Sequence, residues 1–118
     1  MKTTTTYKDL IQDLIDNKIT MVRSEGFKTI FNNYDIISKI DGDIVECGVW
    51  RGGFSIFLSY VFQDKNIWVC DSFEGFQPLE NAKHQYNKER HTPEFTHNAV
   101  GPLAISLKEV QSHFKTYG

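Results

Sequence analysis

Apolar positions along the chain change period twice, and the changes divide it into predicted elements. From Tyr7 to Ile19 the residues Tyr7, Leu10, Ile11, Leu14 and Ile15 recur at helical spacing. A second helical stretch is predicted from Phe27, Ile30, Phe31, Tyr34, Ile37 and Ile40, with Ser24 placed to cap its start. Asp41-Gly42-Asp43 is a turn signal, and Ile44-Val45-Glu46-Cys47 after it is a short β-prone run. The glycine-rich turn Gly48-Val49-Trp50-Arg51-Gly52-Gly53 follows. Phe54 to Phe62 is then apolar almost all round, as a helix packed under a sheet should be. Asp64-Lys65-Asn66 breaks that helix, and Ile67-Trp68-Val69-Cys70 is a second β-prone run ending at Asp71. Strand, helix and strand in this length predict a right-handed parallel crossover.

Residues 75–102 carry no period and are rich in Asn, His, Gln, Glu and Pro. A loop of that length predicts a lid, a binding segment or disorder. Ser106-Leu107-Lys108-Glu109 is a capping box, and Leu107, Val110, Phe114 and Tyr117 then predict one apolar stripe of a final helix.

Composition narrows the function classes. The 118 residues fit one small domain. A net charge of −2, without any basic stripe, argues against nucleic acid as a partner. No apolar run approaches the roughly 20 residues that cross a bilayer, so no membrane partner is expected. The start, Met1 to Thr6, is polar and lacks the hydrophobic stretch of a signal peptide, which makes the cytoplasm the expected compartment. In that compartment Cys47 and Cys70, both inside β-prone runs, are expected as buried reduced thiols rather than a disulfide.

The candidate chemistry sits at the ends of the two strands. A strand that runs into glycines and opens a helix leaves backbone N–H groups pointing at the crevice above the sheet. Gly48 lets the chain turn and a ligand approach; Gly52 and Gly53 let the helix start close to the strand. Glu46, just before the turn, would repel a pyrophosphate but suits a ligand carrying an ammonium and a sulfonium. That favours S-adenosylmethionine over a dinucleotide, and the glycine spacing departs from G-x-G-x-x-G as well. Asp71 ends the second strand at about the 20-residue spacing at which an acid meets a ribose diol, and a carboxylate can accept from both hydroxyls. The plainer alternatives are a connecting turn and a solvated strand-end aspartate.

Here the chain resembles a known family. Gly42-Asp43-Ile44-Val45-Glu46-Cys47-Gly48-Val49-Trp50-Arg51-Gly52-Gly53 is similar to the first motif of the macrocin O-methyltransferase (TylF-type) family, and Trp68-Val69-Cys70-Asp71-Ser72-Phe73-Glu74-Gly75 to its second. Thr20-Met21-Val22 and Leu103 to Val110 are flanking matches, so the similarity runs in order from about Thr20 to the last residue. The resemblance implies methyl transfer from S-adenosylmethionine to a sugar hydroxyl of a secondary metabolite, assisted by Mg²⁺. It implies that Glu46, Cys47, Gly48, Val49 and Trp50 line the methionine part, and Asp71, Ser72, Phe73, Glu74 and Gly75 the ribose and adenine. Thr20 and Met21 would close over the cofactor, and Ser106 would sit near the adenine. Core packing competes for Met21, helix capping for Ser106, and packing against the N-terminal helices for Trp50.

Other polar residues carry less. His84, His91, His97 and His113 lack metal-ligand spacing. Glu74 and Glu80 read as lid acids or solvated loop carboxylates, and no Ser–His–Asp or Cys–His constellation is readable.

The family's metal-binding and base carboxylates follow its fourth and fifth strands, in Asp-x-Asp and Asp-Asp motifs. The sequence stops short of both, and Asp41-Gly42-Asp43 precedes the first strand. No catalytic or metal-ligating residue is therefore assigned. The expected fold is α/β, a partial Rossmann-like (class I methyltransferase) parallel sheet with an N-terminal helical cap. Residues 1–41 form the cap and 42–118 the N-terminal half of the S-adenosylmethionine-binding domain. An open sheet edge predicts a homodimer or a complementing C-terminal half as partner, besides the small hydroxyl acceptor. The reading is a truncated copy, a split gene or a short homologue, weakly active or inactive alone. The alternatives are a non-catalytic module that self-associates or binds a partner, and a nicotinamide-dependent reductase, against which Glu46 and the glycine spacing count.

Overall fold

A computed structural model describes residues 6–75 and 103–118. The predicted loop, with Glu80, His84, His91 and His97, lies outside the described residues apart from Gly75. Helices α1 (Tyr7–Asp16), α2 (Ser24–Asn32) and α3 (Tyr34–Lys39) precede strand β1 (Ile44–Cys47). Helix α4 (Gly53–Val61), strand β2 (Ile67–Cys70) and helix α5 (Leu107–Tyr117) follow.

Both strands fall where the β-prone runs place them. They pair in parallel, Ile44 with Ile67, Val45 with Trp68, Glu46 with Val69 and Cys47 with Cys70. This is the α/β, Rossmann-like unit the sequence predicts. Among the described residues its core lies on one face. Leu10 and Leu14 of α1, Phe27 of α2, and Ile56, Phe57, Leu58 and Val61 of α4 form one buried cluster with Ile19, Phe62 and Tyr117. Phe27 meets the ring of Phe57 edge-on at 4.8 Å, and Phe31 does the same at 5.4 Å. Such pairs add about 0.5–1.5 kcal/mol each beyond their buried area. The predicted cap and the strand–helix–strand unit therefore share a single core.

Two predicted helical features differ. The stretch from Phe27 to Ile40 is two helices, broken at Asn33, whose side-chain amide donates to the Thr29 carbonyl oxygen. The predicted cap at Ser24 is absent: Arg23 is the N-cap of α2, without a side-chain cap bond. Ser106 does cap α5, its hydroxyl accepting from the Glu109 amide at 3.2 Å. The box does not close through Glu109, whose carboxylate instead pairs with Arg51 at 3.4 Å.

The cysteines correct one part of an expectation: both are free, but they are exposed rather than buried. Along each strand the residues alternate between the helix-covered face and an open one. Cys47 and Cys70 fall on the open face, together with Val45 and Trp68, each 58% exposed.

Candidate functional site

A crevice of about 360 Å³ opens above the C-terminal ends of the strands, lined among the described residues by Met21, Gly48, Trp50, Asp71, Ser72, Gly75 and Leu103. Cavities that bury a small molecule start at about 300 Å³. The local sequence makes this space. Gly48 has φ 84°, and its amide donates to the Cys70 carbonyl oxygen at 2.7 Å, so β1 stays laced to β2 up to the turn. Nothing lies within 4 Å of where a Gly48 side chain would begin. That empty volume faces the crevice.

At the other end of the turn the packing is the reverse. A methyl group at Gly53 would stand 2.6 Å from the Ile19 carbonyl oxygen and 2.8 Å from Thr20 Cβ. The Gly53 amide donates to that same Ile19 oxygen at 3.1 Å. Only glycine lets α4 begin against the 19–21 segment, and this approach holds Met21 at the rim. Met21 is 59% exposed, which excludes the core alternative for it. Thr20 is half-buried and its hydroxyl accepts from the Val22 amide at 3.0 Å; it does not line the crevice.

Asp71 organises the site. Its Oδ2 accepts from the Val49 amide at 2.9 Å, and its Oδ1 from the Phe73 amide at 2.9 Å. One carboxylate thus joins the loop after β1 to the loop after β2. Burial would raise its pKa, but the amides of Phe73, Val49, Trp50 and Ser72 together outweigh that and hold it below the ordinary carboxylate range. Each loop also carries a non-glycine residue in the left-handed region, Trp50 at φ 47° and Phe73 at φ 57°. Such conformations cost of order 1–3 kcal/mol and persist where surrounding bonds over-determine them. Asp71 supplies those bonds.

Glu46 is placed differently from Asp71. It lies on the helix-covered face of β1, and the hydroxyl of the fully buried Ser55 donates to its carboxylate. Burial raises its pKa; the Ser55 bond lowers it and the Asp71 charge raises it further, and the net shift is upward. The two acids interact, yet only Asp71 lines the crevice. Sequence reasoning placed both above the strand ends. The helix-facing position of Glu46 follows from the two-residue alternation once α4 covers that face.

The remaining predicted site residues divide in the same way. Gly48, Trp50, Ser72 and Gly75 line the space, while Cys47, Val49, Phe73, Glu74 and Ser106 do not. Val49 and Phe73 act through their backbone amides, and the Glu74 amide donates to the Ser72 hydroxyl at 3.2 Å. Cys47 stands on the open sheet face. Trp50 lies beneath the Arg51 guanidinium, 4.7 Å from the ring centroid.

Two residues escaped the sequence reading. Leu103 lines the crevice, because the chain before α5 returns beside Gly75, within 3.2 Å of a Gly75 Cβ at Ala104. Arg51 ties the turn to its surroundings: it donates to the Lys18 carbonyl oxygen at 3.0 Å, and its own carbonyl oxygen meets His113 Nδ1 at 2.8 Å. A charged residue between glycines carries no signal of such a role. No group of three His, Cys, Asp or Glu side chains among the described residues could hold a metal ion.

Known proteins resemble this arrangement. The chain is 40% identical over 84 residues to the 8-demethyl-8-(2,3-dimethoxy-alpha-L-rhamnosyl)-tetracenomycin-C 4'-O-methyltransferase of Streptomyces olivaceus, covering 67% of this chain and 31% of that one. It is 37% identical over 84 residues to the mycinamicin III 3''-O-methyltransferase of Micromonospora griseorubida, with 67% and 32% covered. The structure of the O-methyltransferase NovP superposes with a TM-score of 0.70 at 28% identity, over 83% of this chain and 42% of that one. The chain spans about a third of the length of the curated relatives it matches. A family model, macrocin O-methyltransferase (TylF), matches residues 4–118, and the chain belongs to that family.

Proposed function

We propose that this chain is the cofactor-binding half of an S-adenosylmethionine-dependent O-methyltransferase whose acceptor is a sugar or secondary-metabolite hydroxyl. The observation that carries the reading is Asp71, a carboxylate held ionised in the wall of a crevice at the ends of two parallel strands. A carboxylate has about four acceptor sites. The Val49 and Phe73 amides each take one of them and the Trp50 and Ser72 amides also approach, so a ribose diol would share the carboxylate with these donors. Gly48 and Trp50 would face the methionine part, and Ser72, Gly75 and Leu103 the nucleoside. Glu46, one layer below, would add negative charge under the cationic end. The bound cofactor supplies a methyl group on sulfonium, open to attack by an oxygen nucleophile. This chain's residues bind and orient, and no catalytic base is assigned among them.

Mg²⁺ does not fit the described residues, which offer no ligand cluster. Metal and base would come from the remainder of the family's fold. The chain alone is then expected to bind the cofactor weakly and to turn over little, in the cytoplasm. Calorimetry with S-adenosylhomocysteine tests the reading: measurable heat, lost or weakened at least about tenfold in Asp71→Ala, is expected. A folded sample giving no heat would sink it.

A second reading, a self-associating module without catalysis, is favoured by the open sheet face bearing Val45 and Trp68. Sedimentation of the purified chain separates the two, since a monomer at all concentrations removes the second.

A further inference from the structure

Cys47 and Cys70 are register partners on the last rung of the parallel pair. Their side chains leave the same face, both are exposed, and both are free thiols. Adjacent strands lie about 4.8 Å apart, inside the range of about 4.4–6.8 Å between Cα atoms that a disulfide spans. We propose that this pair is an oxidisable dithiol, a modification site at the foot of the crevice, and that its oxidation weakens the ligand site above it.

The chemistry needs a small aliphatic disulfide as oxidant. The thiolate of one cysteine attacks a sulfur of that disulfide, breaking its S–S bond and releasing one small thiol. The second cysteine's thiolate then attacks the protein sulfur of the mixed disulfide and releases the other. Two protein thiols become one S–S bond, and the small disulfide is reduced to two thiols.

Closure must draw the Cβ atoms from about the strand spacing to about 3.8 Å. That contraction of roughly 1 Å strains the bond and makes it readily reducible, the character of a labile rather than a structural disulfide. It also falls on the residues immediately before Gly48 and Asp71. The Gly48 amide bonds the Cys70 carbonyl oxygen at 2.7 Å, and Asp71 bonds the Val49 amide at 2.9 Å, so movement at the rung reaches both crevice walls. A misplacement of about 1 Å can cost on the order of a hundredfold where geometry is demanding. The second half of the proposal rests on the cofactor reading given above; the first half does not.

The test treats the native chain with oxidised glutathione, quenches it with an alkylating agent and measures its intact mass. Loss of two hydrogens with no alkylation is expected, reversed by dithiothreitol. Cys70→Ser and Cys47→Ser should instead each carry one glutathione adduct. Two alkylated thiols, stable mixed disulfides on both cysteines or only intermolecular disulfides would overturn the pairing. Calorimetry with S-adenosylhomocysteine then compares the reduced and oxidised chains, and the affinity should fall about ten- to a hundredfold on oxidation. An unchanged affinity overturns the coupling to the site. A reduced chain that gives no heat is the failure of the cofactor reading, and the mass measurement still decides the dithiol.

Discussion

The two ends of the β1–β2 pair each carry an aspartate that laces the strands together, and the two are built differently. Asp43, just before β1, accepts from the Asn66 amide at 3.1 Å, from the Asn66 side chain at 3.2 Å and from the Trp68 indole N–H at 3.0 Å. Asp71, just after β2, takes its bonds from backbone amides of two loops. Both carboxyls sit below their ordinary pKa, Asp43 chiefly through the Trp68 and Asn66 bonds. The surroundings differ. Around Asp43, Lys65 donates to the Ile40 and Gly42 carbonyl oxygens at 2.6 and 3.1 Å, beside an open polar depression of about 450 Å³ that Asp43 and Lys65 both line. Around Asp71 the loops turn outward through left-handed residues and leave a crevice. Asp43 is held by Asn66 and Trp68 at the N-terminal edge of the pair, whereas Asp71 joins two loops at the C-terminal strand ends, where parallel α/β sheets place their ligands.

Removing each acid in turn is the strongest way to break this comparison. Asp71→Ala should lower Tm and also abolish or weaken S-adenosylhomocysteine binding by at least about tenfold. Asp43→Ala should lower Tm while leaving Kd within about twofold. Thermal melts beside calorimetry check both, and equal losses of affinity would erase the distinction drawn between the two ends.

A smaller effect is expected from pH. Glu46 has a folded pKa above its unfolded value, so protonation favours the folded chain, and stability should rise slightly as pH falls through that pKa. Asp71 and Asp43 have folded values below their unfolded ones, so their contribution is present above the ordinary carboxylate range and lost as pH falls below it. Melting temperature against pH should therefore show a shallow gain followed by a loss on the acid side. Glu46→Gln should remove the gain and keep the loss. A gain that persists in that variant would assign it to another group.

Much of this was legible in the sequence. The β-prone runs at Ile44–Cys47 and Ile67–Cys70, bounded by turn signals, became the two strands, and Ser106 became a cap. Local hydrogen bonding and periodicity are written in adjacent residues. The break at Asn33 was not legible, because the apolar period continues through Ile37 and Ile40 on either side of it. The exposure of Cys47 and Cys70 was hidden for a related reason. A run apolar throughout, as Ile67-Trp68-Val69-Cys70 is, or nearly so, as Ile44-Val45-Glu46-Cys47 is, reads like a parallel strand covered on both faces, and nothing in it says which face has a cover. The positions of Glu46 and Asp71 separate on the same point. Which acid faces helix and which faces crevice depends on where α4 packs, and the amide donors that grip Asp71 come from the backbone, which has no residue signature.

The most direct test of the central claim follows individual amides in a ¹⁵N-labelled chain as S-adenosylhomocysteine is added. The largest shifts should fall on Gly48, Val49, Trp50, Phe73 and Gly75, the loops that Asp71 joins, with Asn66 and the Trp68 indole N–H unmoved. Shifts centred on the Asp43 end, or none in a folded sample, would contradict the account.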